Sequence, residues 1–273
     1  MRILAPVDFS EPAKNAAVFA YHVATQLSAE LLLIHVLPDL GPTMGRQDTS
    51  EVMNQLQETA DADFRTLLSQ LPKGNVSVST TISHGSVIHE TLRAVIETNG
   101  INLVIMGSKG AGGAKRALIG SNAVDVINNC NTPVIVVPDK AVITKIESLV
   151  YASDFTNLRD EVKTLIPFAE SLGAYINIIN LSPRFYVEYV DTDRLINDMQ
   201  RENKFERIKV TMLQGENITQ ILEDYVLASR GELLTMFTHH ASFLEQLFRR
   251  SIAREIAWHN KIPLLVYPHS RKQ

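Results

Sequence analysis

Residues 103–122 read LVIMGSKGAGGAKRALIGSN, an apolar run that passes through a glycine-rich segment into a polar turn. Leu103–Met106 has the length and composition of a buried strand, and Ser121 is a suitable first residue for a helix. Five of the 13 glycines in the chain lie from Gly107 to Gly120. Glycines let backbone N–H groups approach a ligand without an intervening Cβ. The stretch therefore predicts the ligand-binding edge of a parallel α/β sheet.

Gly120 and Ser121 stand at the predicted start of a helix, where free N–H groups and the helix dipole can bind a phosphate. We expect Gly120 to adopt a φ that a side chain would not tolerate. The segment is not a P-loop, which needs Gly-Lys-Ser/Thr, and Lys115 stands where the dinucleotide fingerprint needs a glycine. The alternative is that the loop is only a flexible connection.

The rest of the first half alternates strands with helices. Periodicity predicts helices that start at Ser10 and Ser121 and one that ends at Gly100. Short apolar or alternating runs predict five strands: Arg2–Val7, Leu31–Val36, Val76–Ile82, Leu103–Met106 and Pro133–Val137. The helix that ends at Gly100 is predicted at Val87–Thr98, and a fourth helix is predicted at Val52–Leu71. This order favours a doubly wound α/β domain with a five-stranded parallel sheet flanked by helices.

The chain repeats itself. At an offset of 130 residues several residues recur in identical form, namely Gly85 and Gly215, Met106 and Met236, Ser121 and Ser251, Pro133 and Pro263, and Pro138 and Pro268. Near the start the offset is 146, so that Asp8-Phe9-Ser10 matches Asp154-Phe155-Thr156. A repeat of domain length indicates a tandem duplication. We predict two domains of the same fold, residues 1–140 and 147–273.

Composition excludes several classes of protein. Of the 273 residues 45% are apolar and 21% charged, and the net charge is −4. This balance is typical of a globular protein and does not favour nucleic acid as a partner. Apolar runs are too short to span a bilayer, so no membrane partner is expected. The single cysteine, Cys130, excludes an intramolecular disulfide. We expect a cytoplasmic protein.

The glycines form the pattern Gly107-x2-Gly110-x9-Gly120-Ser121-Asn122. With this pattern, and with the strands on either side of it, the chain resembles a tandem universal stress protein over essentially its whole length. In that family the pattern is the signature of the ATP-binding branch. The resemblance implies that the first domain binds ATP or another adenine nucleotide, accompanied by a divalent cation such as Mg²⁺ or Mn²⁺. No side chain is assigned to the metal.

The resemblance also assigns roles to single residues. Asp8 corresponds to an aspartate near the adenine and ribose, although it could instead only cap the following turn. Val36 corresponds to a residue whose backbone meets the adenine, and Met106 would pack on the base. Gly107 and Gly110 would line the ribose and first phosphates. The outer phosphates would lie against the helix start formed by Gly120, Ser121 and Asn122.

The second copy departs from the signature. At the 130 offset Phe237, His240 and Arg250 replace the three signature glycines, while Ser251 and Asp154 are retained. A phenylalanine at 237 would occupy the space of a ribose. We therefore expect one nucleotide site in the chain and a degenerate second copy.

Three functions remain open at this level. The first is a stress-response protein that uses ATP as a regulatory or structural ligand. The second is a slow ATPase or phosphotransferase, and the third is an interaction module that does not use its inherited loop. Nucleotide that copurifies with the protein would exclude the third, and phosphate release over hours would separate the first two.

The last strand of each domain carries a structural prediction. In the family, this strand of one domain pairs with its counterpart in another, and unpaired apolar edge strands promote aggregation. We predict that Pro133–Val137 and Leu264–Tyr267 pair within one chain to form a pseudo-two-fold dimer. A homodimer of whole chains is compatible with the same resemblance. A crystal structure in which these strands make no contact with each other would contradict the intramolecular pairing.

Overall fold

The structure is a computed structural model that describes residues 1–39, 49–108, 120–142, 144–182, 190–214, 218–228, 232–238 and 261–268. The chain divides into two compact units, Met1–Lys140 and Ala141–His269. Within each unit five described strands pair in parallel, and helices connect them along the chain. The two are described separately below.

The first unit contains nine elements within the described residues. In chain order these are β1 Arg2–Pro6, α1 Glu11–Leu27, β2 Glu30–Leu37, α2 Thr49–Gln70, β3 Val78–His84, α3 Ile88–Asn99, β4 Leu103–Gly107, α4 Ser121–Asn129 and β5 Val134–Val137. Each strand and helix predicted in this half is present, with ends displaced by at most a few residues. The predicted doubly wound α/β fold is confirmed.

The strands of the first unit are ordered β3-β2-β1-β4-β5, and each neighbouring pair is parallel. The chain proceeds from β1 to β3 on one side of β1, and then continues with β4 and β5 on the other side. The direction of travel across the sheet therefore reverses between β1 and β4. In open parallel sheets this switch point leaves a crevice at the carboxyl ends of the strands.

Helix α1 illustrates how local sequence sets an element of this unit. The Ser10 hydroxyl accepts a hydrogen bond from the Ala13 N–H at 3.4 Å and caps the helix, as the sequence predicted. Small residues on one face of α1, including Ala16, Ala20 and Ala24, are fully buried or nearly so. Their size lets the helix lie close to the sheet, and its start at Glu11 marks the end of the loop after β1.

The second unit repeats the arrangement. Its described elements are β6 Ser148–Ser153, α5 Leu158–Leu172, β7 Tyr175–Ser182, α6 Thr192–Asn203, β8 Ile208–Gln214, α7 Ile218–Ala228, β9 Leu233–Phe237 and β10 Leu264–Tyr267. The strands are ordered β8-β7-β6-β9-β10, with every pair parallel. This is the order of the first sheet, with β6 at the position of β1. Within the described residues, no helix combines the length and apolarity that crossing a membrane requires.

The C-terminal caps of α1 and α3 provide a test of the backbone geometry. Gly100 ends α3 with φ 61°, and a Cβ placed there would meet nothing within 4 Å. Gly100→Ala should therefore lower the free energy of unfolding by about 1 kcal/mol through backbone strain alone. Ser28 ends α1 with φ 50°, so Ser28→Gly is the matched control and should cause no loss. Urea unfolding measures both, and a Gly100→Ala protein as stable as the wild type would contradict the assignment.

Candidate functional site

The loop after β1 forms a tight corner at the switch point. The last hydrogen bond of the β1–β2 ladder joins the Val7 N–H to the Ile34 carbonyl at 2.8 Å. The Asp8 carboxylate then accepts from the Ser10 N–H at 3.1 Å and from its hydroxyl at 2.5 Å. Phe9, between them, has φ 59°, which is a rare backbone conformation for a bulky residue. Asp8 therefore shapes the turn, and its side chain is exposed.

Strand β2 continues past the end of β1. The Ile34 carbonyl bonds to β1, whereas the Leu37 carbonyl accepts from the Gly85 N–H on the β3 side at 3.0 Å. Along a strand the backbone N–H and carbonyl groups of successive residues face opposite neighbouring strands. The N–H and carbonyl of Val36 are thus directed to the β1 side, beyond the last β1–β2 ladder bond. The sequence predicted that β2 ends at Val36, and in the structure it ends one residue later, at Leu37.

The end of β4 lies at the same edge of the sheet as the ends of β1 and β2. Pairing of Leu4 with both Leu32 and Val104 sets the registers of the three strands. Extended along the strands, these registers place Asp8 between Val36 and Ser108. Neighbouring strands lie about 4.8 Å apart, so the three residues share one small region of the sheet edge. Met106 and Gly107, which precede Ser108, are buried in β4.

Ser108 connects this edge to the start of α4. Its N–H donates to the Val137 carbonyl at 2.8 Å, and its carbonyl accepts from the Gly120 N–H at 2.6 Å. The buried Ser108 hydroxyl donates to the Asp139 carboxylate at 3.4 Å. The Ser108–Gly120 bond thus brings the beginning of α4 to the carboxyl end of β4.

Helix α4 begins at Ser121, with Gly120 as its N-terminal cap. The Gly120 carbonyl accepts from Ala123 and Val124, so the N–H groups of Ser121 and Asn122 precede the first bonds of the helix and have no acceptor within it. Such groups, with the positive end of the helix dipole, can bind a phosphate.

One expectation about this helix start is wrong. Gly120 has φ −67° and ψ 156°, an extended conformation that residues with a side chain also adopt. The backbone therefore does not require glycine here, and any requirement for one would come from the space a ligand needs. Gly110 of the signature lies outside the described residues.

The sequence analysis overlooked His35. Its Nδ1 lies 2.7 Å from the Val7 carbonyl oxygen, and its ring centroid is 4.7 Å from that of Phe9. The Phe9 ring also contacts Phe64 of α2 edge-on, with centroids 5.1 Å apart. A signal was available in the sequence, since His35 directly precedes Val36, but a lone histidine in an apolar strand does not show which backbone group it will reach.

The described part of the chain contains no group of three or more His, Cys, Asp or Glu side chains that could hold an ion. Cys130 is buried, and this burial raises the pKa of its thiol.

Aromatic rings pack together at the end of β9, the strand of the second unit that corresponds to β4. Phe237, at the end of β9, is 5% exposed. Its ring centroid lies 5.2 Å from that of Tyr267, in a stacked arrangement, and 5.7 Å from that of Tyr151. Burial raises the pKa of Tyr267. His240, Arg250 and Ser251 lie outside the described residues. Of the second-copy residues singled out in the sequence comparison at this site, the structure describes Phe237 and Asp154.

The sequence matches the model of the "Universal stress protein family" over residues 1–138. Universal stress protein MJ0577 of Methanocaldococcus jannaschii is 28% identical over 154 residues, which make up 51% of this chain and 95% of that protein. Universal stress protein YxiE of Bacillus subtilis is 24% identical over 145 residues, or 50% of this chain and 97% of that protein.

Among solved structures, a universal stress protein from Archaeoglobus fulgidus is similar with a TM-score of 0.69. The match covers 98% of both chains at 16% identity, so the likeness concerns the fold. The two relatives above match about half of this chain, whereas the Archaeoglobus fulgidus structure matches 98% of it. The tandem α/β architecture therefore has a counterpart of the same length.

Proposed function

Because the chain belongs to the universal stress protein family, we propose that it is a cytoplasmic stress-response protein that binds ATP or another adenine nucleotide in its first unit. The nucleotide would act as a regulatory or structural ligand. The observation that carries the proposal is the convergence of Asp8, Val36 and Ser108 at the switch point, together with the bond between Gly120 and Ser108. These contacts bring a helix start to the edge where β1 ends.

The groups at this edge match the parts of a nucleotide. The Val36 N–H and carbonyl would offer a donor and an acceptor to the adenine, and Met106 would pack on the base. The Asp8 carboxylate can accept hydrogen bonds from ribose hydroxyls, as acidic residues do in other nucleotide sites. Gly107 and Gly110 would leave room for the sugar and first phosphates.

The phosphates would lie at the start of α4. The N–H groups of Ser121 and Asn122 and the Ser121 hydroxyl can donate to phosphate oxygens, and Gly120 leaves space for them. A cation such as Mg²⁺ or Mn²⁺ would be held mainly by phosphate oxygens and water, which is the usual arrangement for Mg²⁺ with a nucleotide. The proposal assigns it no side-chain ligand.

We predict that the full chain binds one nucleotide. Phe237 is buried between Tyr151 and Tyr267, so a ribose in the second unit would have to displace a packed ring. Calorimetric titration with ATP and Mg²⁺ should give a stoichiometry of one, and acid extract of the purified protein should contain adenine nucleotide. A stoichiometry of two would contradict the one-site assignment, and no binding would contradict the proposed function. Phosphate release over hours would favour the slow ATPase instead.

Substitutions at Gly120 test the phosphate position. Its φ admits a side chain, so Gly120→Val should remove binding by occupying ligand space while leaving the fold intact. Gly120→Asp and Gly120→Asn form a matched pair, since both cap a helix well and differ in charge. The aspartate variant should bind ATP about tenfold more weakly than the asparagine variant because its carboxylate repels phosphate. Equal affinities for the pair would show that no phosphate lies there.

Asp8→Ala tests the other end of the site. Loss of one hydrogen bond to a neutral sugar or base group should weaken ATP binding by about 1–2 kcal/mol. Thermal unfolding without nucleotide separates this loss from that of the turn to Ser10, and Asp154→Ala is the matched control in the second unit. It removes the equivalent turn and should leave the affinity unchanged. An Asp8→Ala protein with wild-type affinity would restrict Asp8 to its role in the turn.

A further inference from the structure

The Val7 carbonyl lies where the β1–β2 ladder stops. Val7 donates its N–H to Ile34 at 2.8 Å, and in a parallel strand the N–H and carbonyl of one residue face the same neighbour. Its carbonyl is directed to β2, where the His35 ring lies 2.7 Å away. Val7 is 4% exposed, and a buried carbonyl without a partner is costly. His35 thus takes the place of the next ladder donor.

The chemistry of this contact determines the protonation of the ring. A carbonyl oxygen can only accept, so Nδ1 of His35 carries the hydrogen, and in the neutral ring Nε2 carries the lone pair. The same ring lies against Phe9, with centroids 4.7 Å apart. One side chain therefore holds both the last carbonyl of β1 and the residue with φ 59° that turns the chain away.

The internal repeat contains the same bond with a different donor. Asn180 of β7 donates its Nδ2–H to the Ser153 carbonyl at 3.1 Å, and Phe155 follows with φ 68°. At the offset of 146 residues Ser153 corresponds to Val7. Asn180 lies on β7, the second strand of its unit, as His35 lies on β2. The bond can thus be made by an amide, and the second unit shows that asparagine has sufficient reach.

We propose that His35 is a positioning residue of the nucleotide site in the first unit. This inference rests on the proposed function, since it names how that site is organised. A planar trans peptide directs its N–H opposite to its carbonyl. By holding the Val7 carbonyl toward β2, His35 directs the Asp8 N–H toward β4 and sets where the Asp8 carboxylate stands relative to Val36.

Without this bond the Val7–Asp8 peptide can take other orientations, of which only one suits the ligand. The apparent dissociation constant then rises by the inverse of the competent fraction. His35 need not touch the nucleotide for this effect. Its influence is on the fraction of molecules in which the corner at Asp8 and the adjacent backbone of Val36 are in place together.

Two variants separate the hydrogen bond from the ring contact. His35→Phe keeps a ring against Phe9 and removes the donor, whereas His35→Asn removes the ring and keeps a donor of the kind found at Asn180. ATP titration of the full chain should give about tenfold weaker binding for His35→Phe and an affinity within about twofold of the wild type for His35→Asn. Asn180→Leu, which removes the equivalent bond in the second unit, is the control and should leave the affinity unchanged.

Each outcome has a distinct meaning. Wild-type affinity in His35→Phe, or equal losses in His35→Phe and His35→Asn, would overturn the positioning role, whereas a wild-type protein that binds no ATP would instead overturn the proposed function. If His35→Phe does not fold, the wild type still provides a test. In the neutral His35 ring, the ¹⁵N shifts should show hydrogen on Nδ1. Hydrogen on Nε2 would overturn the inference.

Discussion

The first unit depends on the point at which β1 stops between two longer neighbours. The Val7 N–H makes the last bond to β2 at Ile34, and β2 continues to Leu37. Because strand order reverses at β1, none of the described strands lies between β2 and β4 beyond the end of β1. The neighbouring strand ends therefore present backbone groups to this space that the sheet itself does not use. Every candidate ligand contact in the unit is defined relative to this break in the ladder.

A strained corner marks the same point. Phe9 has φ 59°, and a bulky residue in this region costs about 1–3 kcal/mol. The surrounding contacts hold it in place, namely the Asp8–Ser10 turn below it and the rings of His35 and Phe64 beside it. Phe155 repeats the conformation in the second unit with φ 68°. The corner is thus a property of the fold in both copies, and the proposed ligand site of the first copy includes it.

The two units differ at the neighbouring strand end rather than at the corner. Where β4 ends in Gly107, β9 ends in Phe237, whose ring packs against Tyr151 and Tyr267. Packed aromatic rings bury a large apolar area, which a glycine at the same position does not. Within the described residues, the second unit therefore has a packed aromatic ring at the strand end where the first unit has a glycine.

Sequence alone was sufficient for the repeat, the α/β order, and the helix caps at Ser10 and Gly100. These depend on local patterns, since strand runs, caps and loop glycines are set by residues close together in the chain. The φ of Gly120 and the role of His35 were decided only by the tertiary structure. His35 reaches a carbonyl 28 residues away, and its partner follows from the register of β1 against β2. That register results from packing of the whole sheet, which no local pattern encodes.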